Sequence, residues 1–139
     1  MSSSPAATGS RIFITGAANG IGAALSRLCL DAGHRVVAAD VDTEGLERLH
    51  AEVPSIDTAV LDVRELAAWT RVADQVETEG GPIVVLVNNA GVCLPGACAE
   101  VSAEDDRLTV EVNLFGVMNG VRTFLPRFLR RDRGHFINV

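Results

Sequence analysis

Between Thr15 and Gly22 the chain reads Thr-Gly-Ala-Ala-Asn-Gly-Ile-Gly, a set of residues suited to holding a diphosphate. A compact apolar run, Arg11-Ile12-Phe13-Ile14-Thr15, stands before it, and a stretch with helical spacing follows. That context, a strand behind and a helix ahead, is what gives a glycine pattern meaning. Gly16 permits a tight turn, Gly20 leaves room for the backbone to approach a pyrophosphate, and Gly22 lets the helix pack close to the sheet. The first N–H groups of the helix and its positive dipole end then face the phosphates. Spaced glycines alone are weak evidence, since many loops use them for turns with positive φ.

Asp40 ends the next β-branched run, 18 residues after Gly22. This is near the ~20-residue spacing of an acid that hydrogen-bonds the hydroxyls of an adenosine ribose. A carboxylate there repels a 2′-phosphate, and neither Ala17-Ala18-Asn19 nor Val41 supplies a cation to receive one. The expected cofactor is NAD in preference to NADP. The plainer alternative is that Asp40 and Asp42 cap the next turn. Leu61-Asp62-Val63 and Asn88-Asn89-Ala90-Gly91 close two further apolar runs. Four polar clusters therefore fall at the carboxyl ends of strands, where ligands bind in a doubly wound sheet.

The elements that must position these residues alternate along the chain. Strands are expected at Arg11 to Thr15, Arg35 to Asp40, Thr58 to Leu61, Ile83 to Val87 and His135 to Val139. Helices are expected from about Ile21 to Ala32, stopped by Gly33, and from Thr43 to Glu52, with Thr43 able to cap it and Pro54 ending it. Two more run from Glu65 to Glu79 and, as one long helix, from Ala103 to Arg131. Strands without polar alternation, separated by helices, imply a parallel sheet covered on both faces. The fold class is a doubly wound α/β sheet, and right-handed crossovers give the strand order 3-2-1-4-5.

At 139 residues and 47% hydrophobic content, the chain suits one domain with a real core. The net charge of −6 and pI near 4.9 argue against a nucleic-acid or anionic-membrane partner. No apolar run approaches the ~18 residues of a membrane span, and residues 1–10 lack a secretory signal. They read as a disordered tail on a cytoplasmic protein, with the nucleotide-binding domain over residues 11–139. Cys93 and Cys98 lie close together in a probable loop, but no second Cys or His pair completes a metal site. Cys29, amid Leu25, Leu28 and Leu30, reads as a packing residue on an apolar helix face. His34, His50 and His135 read as surface or strand-end residues.

Taken together, Thr15-Gly16-x-x-x-Gly20-Ile21-Gly22, Asp62-Val63, Asn88-Asn89-Ala90-Gly91, Val112-Asn113-Leu114-Phe115-Gly116 and Gly134-x-x-Ile137-Asn138-Val139 resemble the short-chain dehydrogenase/reductase family. The likeness runs from about Arg11 to Val139, and the combination in this order is specific where each element alone is not. The resemblance implies that Gly16, Ala18, Asn19, Gly20 and Ile21 wrap the pyrophosphate and that Asp40 holds the adenosine ribose. Asp62 and Val63 would flank the adenine. Asn89, Ala90 and Gly91 would line the path to the nicotinamide ribose, with Val112 also at the cofactor and Asn88 tying strands together. Asn113 would be the active-site asparagine that helps hold a proton-relay water. Its plainer reading is a helix-buried amide bonded to neighbouring backbone.

The implied reaction is hydride transfer between nicotinamide and an alcohol or ketone carbon. The family also uses a Ser after the fifth strand and a Tyr-x-x-x-Lys on the next helix. This chain has no Tyr, all 12 of its basic residues are Arg, and none of its serines stands in that place. The expectation is an N-terminal portion of such an oxidoreductase, inactive alone; the alternative is a non-catalytic nucleotide-binding remnant or truncated isoform. A Rossmann-type methyltransferase would leave Asn88-Asn89-Ala90-Gly91 and Asn113 unexplained. Without a further helix, Val84, Leu86 or their alternates are expected to meet water and the fifth strand to be an open edge. Self-association follows, with Leu108, Val112, Phe115, Val121, Leu125 and Phe128 as candidate apolar positions on the long helix.

Overall fold

The computed structural model describes residues 9–97 and 99–139, so Cys98 and most of the expected tail lie outside the described residues. Five β-branched runs form one parallel sheet: β1 (Arg11–Thr15), β2 (Arg35–Asp40), β3 (Asp57–Val60), β4 (Val85–Asn88) and β5 (His135–Asn138). The sheet order is β3-β2-β1-β4-β5, as right-handed crossovers require. Between the strands run α1 (Gly20–Asp31), α2 (Thr43–Glu52), α3 (Leu66–Gly80), α4 (Ala103–Val110) and α5 (Gly116–Arg130). Gly9 and Ser10 are already part of the fold: the Gly9 N–H donates to Gly33 O and Ser10 O accepts from the Arg35 N–H.

Alternation along the central strands splits the core into two layers. Ile12 and Ile14 of β1, Val36 and Ala38 of β2, and Val85 and Val87 of β4 pack with Ala23 of α1 and Leu46 and Leu49 of α2. Cys29 is half-buried against this layer, which pushes its thiol pKa up. On the other face, Phe13, Val37 and Leu86 pack with Trp69, Val72 and Val76 of α3 and Phe124 and Phe128 of α5. Phe13 lies 5.9 Å from Trp69 and 5.6 Å from Phe124, centroid to centroid, and the ring contacts continue through Phe128 to Phe136 of β5. Arg11 opens β1 as a buried cation, paired with Asp57 at 2.7 Å and donating to the carbonyls of Val76 and Gly81. A buried charge is tolerable only when it is held in this way.

Several expectations need correction. Val84 and β4 do not meet water: Val84, Val85 and Val87 are buried in the layer beneath α1 and α2, which reaches as far as β4, and Leu86 is buried in the layer beneath α3 and α5. Exposure falls on the two edges of the sheet, at Val60 of β3, 56% accessible, and at Ile137 of β5 and the following Val139, 49% and 72% accessible. Asp42, not Thr43, caps α2; its extended backbone lets the carboxylate accept from the Gly45 N–H at 2.9 Å. The long helix is not continuous. A wide turn with the hydrogen-bond reach of a π-helix, Glu111–Phe115, separates α4 from α5. Just past it Gly116 crosses Val63, where an added Cβ would sit 2.7 Å from Val63 Cγ2. One turn later a Cβ on Gly120 would stand 2.6 Å from Asn88 Oδ1. Two glycines therefore let α5 lie directly on the strand ends that carry the site. Of the expected apolar positions on this stretch, Phe128 is buried, Leu108, Val112 and Val121 are half-buried, and Phe115 and Leu125 are exposed.

Candidate functional site

At the carboxyl edge of the sheet, where β1 parts from β2 and β4 on either side, lies a cavity of about 510 Å³. Gly16, Asn19, Gly20, Ile21, Asp40, Asp62, Val63, Asn89, Ala90, Gly91 and Val112 line it. Of the residues singled out from sequence, Ala18 and Asn113 do not. None of the three histidines lines it either. His34 follows α1 in the turn to β2, His50 sits on α2 with Nδ1 2.9 Å from Ile56 O, and His135 starts β5.

The glycine turn is braced by the end of β4. Gly16 has φ +64°, and a Cβ there would stand 2.7 Å from Ala90 Cα. Thr15 Oγ1 accepts from the N–H groups of Asn89 and Ala90, both at 3.0 Å, and donates to Val87 O. The Asn89 amide donates to Thr15 O at 2.9 Å and Gly16 O at 3.1 Å. Gly22 completes the packing, since a Cβ there would meet the Asn89 amide nitrogen at 2.7 Å. Gly20 differs: it has φ +54°, and its missing Cβ would project into open space.

Asn19 stands at the N-cap of α1 without making a capping bond, and its amide nitrogen donates to Asp42 Oδ2 at 3.0 Å. The first-turn N–H groups of α1 are thereby left without a side-chain acceptor beside the cavity, an arrangement that fits an anionic group. Asp40 braces the neighbouring turns and also faces the cavity. Its Oδ2 accepts from the Ala18 N–H and its Oδ1 from the Asp42 N–H, each at 3.0 Å, while the residue lines the cavity. Asp42 is a cap, and its bonds to the Gly45 N–H and the Asn19 amide hold its carboxyl below the usual range.

Beyond the end of β3, next to Asp40, stands a cavity residue that sequence reasoning missed. The Arg64 guanidinium grips Asp62 through Nε, at 3.0 Å to Oδ1 and 3.1 Å to Oδ2, and through Nη2, at 2.6 Å to Oδ2. The Arg64 backbone N–H adds a bond to Oδ1 at 3.0 Å. This pairing keeps the Asp62 carboxyl below the usual carboxylate range. A cation two residues after an acid at a strand end was the available signal. Behind them, Val63 O accepts from the buried Trp69 Nε1 at 2.9 Å and from the Asn119 amide at 3.1 Å.

Asn113 sits in the wide turn and latches the loop after β4. Its Oδ1 accepts from the Val92 N–H at 2.8 Å, and its Nδ2 donates to Val92 O at 2.9 Å. The amide does bond backbone, but it is exposed instead of helix-buried. Asn88 ties strands together, donating to Asn138 Oδ1 at 2.9 Å across β4 and β5. Cys93 is exposed. Among the described residues, no group of three or more His, Cys, Asp or Glu is placed to hold a metal ion. No helix among them is long and apolar enough to cross a membrane.

Comparison with known proteins agrees with this geometry. The family model described as short chain dehydrogenase matches residues 10–139. The chain is 38% identical over 131 residues to 2,3-dihydro-2,3-dihydroxybenzoate dehydrogenase of Bacillus subtilis, covering 91% of this chain and 50% of that protein. Among solved structures, a short chain dehydrogenase/reductase from Burkholderia phymatum in complex with NAD superposes with TM-score 0.86 at 35% identity, over 94% of this chain and 48% of that one. A serine dehydrogenase in its closed form, complexed with NADP+, superposes with TM-score 0.86 at 33% identity, over 92% of this chain and 52% of that one. The chain spans about half the length of the curated relatives it matches.

Proposed function

The chain belongs to the short-chain dehydrogenase family, and we propose that it forms the cofactor-binding portion of an NAD-dependent oxidoreductase. The observation that carries this reading is the convergence of the glycine turn, Asp40, Asp62 and the Asn89 to Gly91 segment on one cavity at the carboxyl edge of the sheet. The uncapped first turn of α1 and the open space over Gly20 would take the pyrophosphate. Asp40 would accept from the ribose hydroxyls, and its charge would disfavour a 2′-phosphate. Similar structures bind either dinucleotide, so the preference for NAD rests on Asp40.

When bound, the nicotinamide would supply hydride transfer to or from an alcohol or ketone carbon of a small-molecule substrate, in a cytoplasmic setting. Asn113 would hold the Val92 backbone at that end of the cleft. The proton transfer would call on groups other than Tyr and Lys of this chain, which has neither. A second reading is a nucleotide-binding chain without chemistry of its own.

Calorimetric titration of the 139-residue chain with NAD+ tests the primary claim. Binding with one dinucleotide per chain is expected, and no detectable binding at millimolar cofactor would overturn it. Under binding conditions, NADH formation with a panel of secondary alcohols separates the two readings. Background rates are expected of this chain alone.

A further inference from the structure

Asp62, Val63 and Arg64 all line the cavity, yet they belong to no strand or helix. β3 ends at Val60 and α3 starts at Leu66, so neither ladder nor helical bonds fix the backbone of residues 62–64. The segment also has room to move. Arg64 borders a second cavity of about 360 Å³, which it shares with Leu66, Glu111, Phe115 and Asn119.

One side chain of α5 reaches across to this segment. Gly116, Asn119 and Gly120, at i, i+3 and i+4, share a face of the helix. Gly116 lets that face cross Val63, where a Cβ would stand 2.7 Å from Val63 Cγ2. Asn119 is only 6% exposed, and its Nδ2 donates to Val63 O at 3.1 Å and to Arg64 O at 3.2 Å. Asparagine is a weak helix former, and a buried amide is costly unless it is bonded. Here both amide protons go to successive carbonyls of the cavity wall, while Asn119 itself does not line that cavity.

We infer that Asn119 is a positioning residue for dinucleotide binding, holding the backbone of residues 62–64 in the shape that the ligand meets. The inference rests on the dinucleotide-binding reading above. Without the amide, Trp69 Nε1 still holds the Val63 carbonyl, so the wall loosens without unfolding. Binding must then re-form it, and affinity falls.

The test titrates NAD+ into the full 139-residue chain, Asn119→Ala and Asn119→Asp, well below their melting temperatures. Asn119→Asp keeps the shape but turns an acceptor towards two carbonyls, whereas Asn119→Ala removes shape and donor together. Each should weaken NAD+ binding about tenfold, Asn119→Asp at least as much as Asn119→Ala. A role in stability alone would lower the melting temperature and leave the affinity of the folded chain unchanged. A space-filling role would leave Asn119→Asp near the parent. Either result overturns the inference. A measurement on the parent needs no variant to fold: its Asn119 side-chain amide protons should be protected from solvent exchange before cofactor is added, and unprotected exchange overturns the inference too. A parent that binds no NAD+ overturns the functional reading itself, whereas a parent matched in affinity by both variants overturns this inference alone.

Discussion

Replacing Asp40 by Asn isolates charge from shape at the ribose end of the cleft. The amide oxygen can still accept from the N–H of Ala18 or Asp42, now made at 3.0 Å each, so the turn keeps part of its bracing. What is lost is one negative charge facing the 2′ position. Two unit charges 4 Å apart interact by about 1 kcal/mol in water and about 4 kcal/mol at an effective dielectric near 20. Asp40 is only half-buried at an open cleft, so the lower figure applies. A 2′-phosphate carries nearly two charges at neutral pH, giving roughly 2 kcal/mol of repulsion, or about 30-fold in affinity. Asp40→Asn should therefore improve NADP+ binding about 30-fold relative to NAD+, and raising salt should shrink the difference for the parent chain. Parallel titrations of both cofactors against parent and variant measure it. A ratio that moves by less than twofold would refute the assignment of Asp40 as the charge that excludes the 2′-phosphate.

Gly20→Ala and Gly16→Ala should separate binding from folding. Both carry the ~1–2 kcal/mol cost of a positive φ, but only Gly16→Ala also drives a Cβ against the Ala90 backbone. Gly20→Ala should melt only a few degrees lower yet lose dinucleotide affinity at least tenfold, while Gly16→Ala loses both, as thermal melts and titration would show. Acid should expose the cap of α2. Asp42 has a folded pKa below its ordinary value of 3.8, so its charge stabilises the fold above that value and the benefit fades as pH falls through the folded pKa. Asp42→Asn, which keeps a capping oxygen, should melt lower than the parent at pH 7, and the gap should close as pH falls through the lowered folded pKa of Asp42. The exposed Ile137 and Val139 on an edge strand should drive concentration-dependent association. Sedimentation at several concentrations should detect it, Ile137→Lys should reduce it, and a single monomeric species throughout would count against it.

Local chemistry made much of this molecule readable. The β1 run, the glycine turn and α1 form one continuous signal, because strand, turn and helix start are each encoded within a few residues. Strand order followed from the handedness of the connections. Boundaries drifted where the ladder itself decides them. Ile83 reads as strand from its side chain, but β4 begins at Val85. Asp42 and Thr43 are both competent caps, and only the backbone at Asp42, extended and three residues before the Gly45 N–H, chooses between them. The burial of β4 was misjudged for a different reason. How far the layer beneath α1 and α2 spreads across the sheet depends on packing, which apolar periodicity does not express.

The parts of the site that sequence could not supply share one physical origin: they are fixed from behind by contacts far apart in the chain. Nothing in Glu111–Phe115 distinguishes a wide turn from one more turn of α-helix. The turn is fixed by Gly116 meeting Val63 and by Asn113 meeting Val92. The Asp62–Arg64 segment is likewise pinned by side chains that never enter the cavity. The Asn119 amide donates to the carbonyls of Val63 and Arg64, and Trp69 Nε1 shares the Val63 carbonyl. Asn119 and Trp69 are both buried. A buried carbonyl that lost these donors would carry a desolvation cost of ~1–3 kcal/mol, enough to favour a shifted backbone at residues 62–64. The Asp62–Arg64 side of the cleft thus depends on α3 and α5 as much as on the strand that bears it. Reading a motif at a strand end therefore locates a site of this kind, while its shape is set by the helices packed beneath.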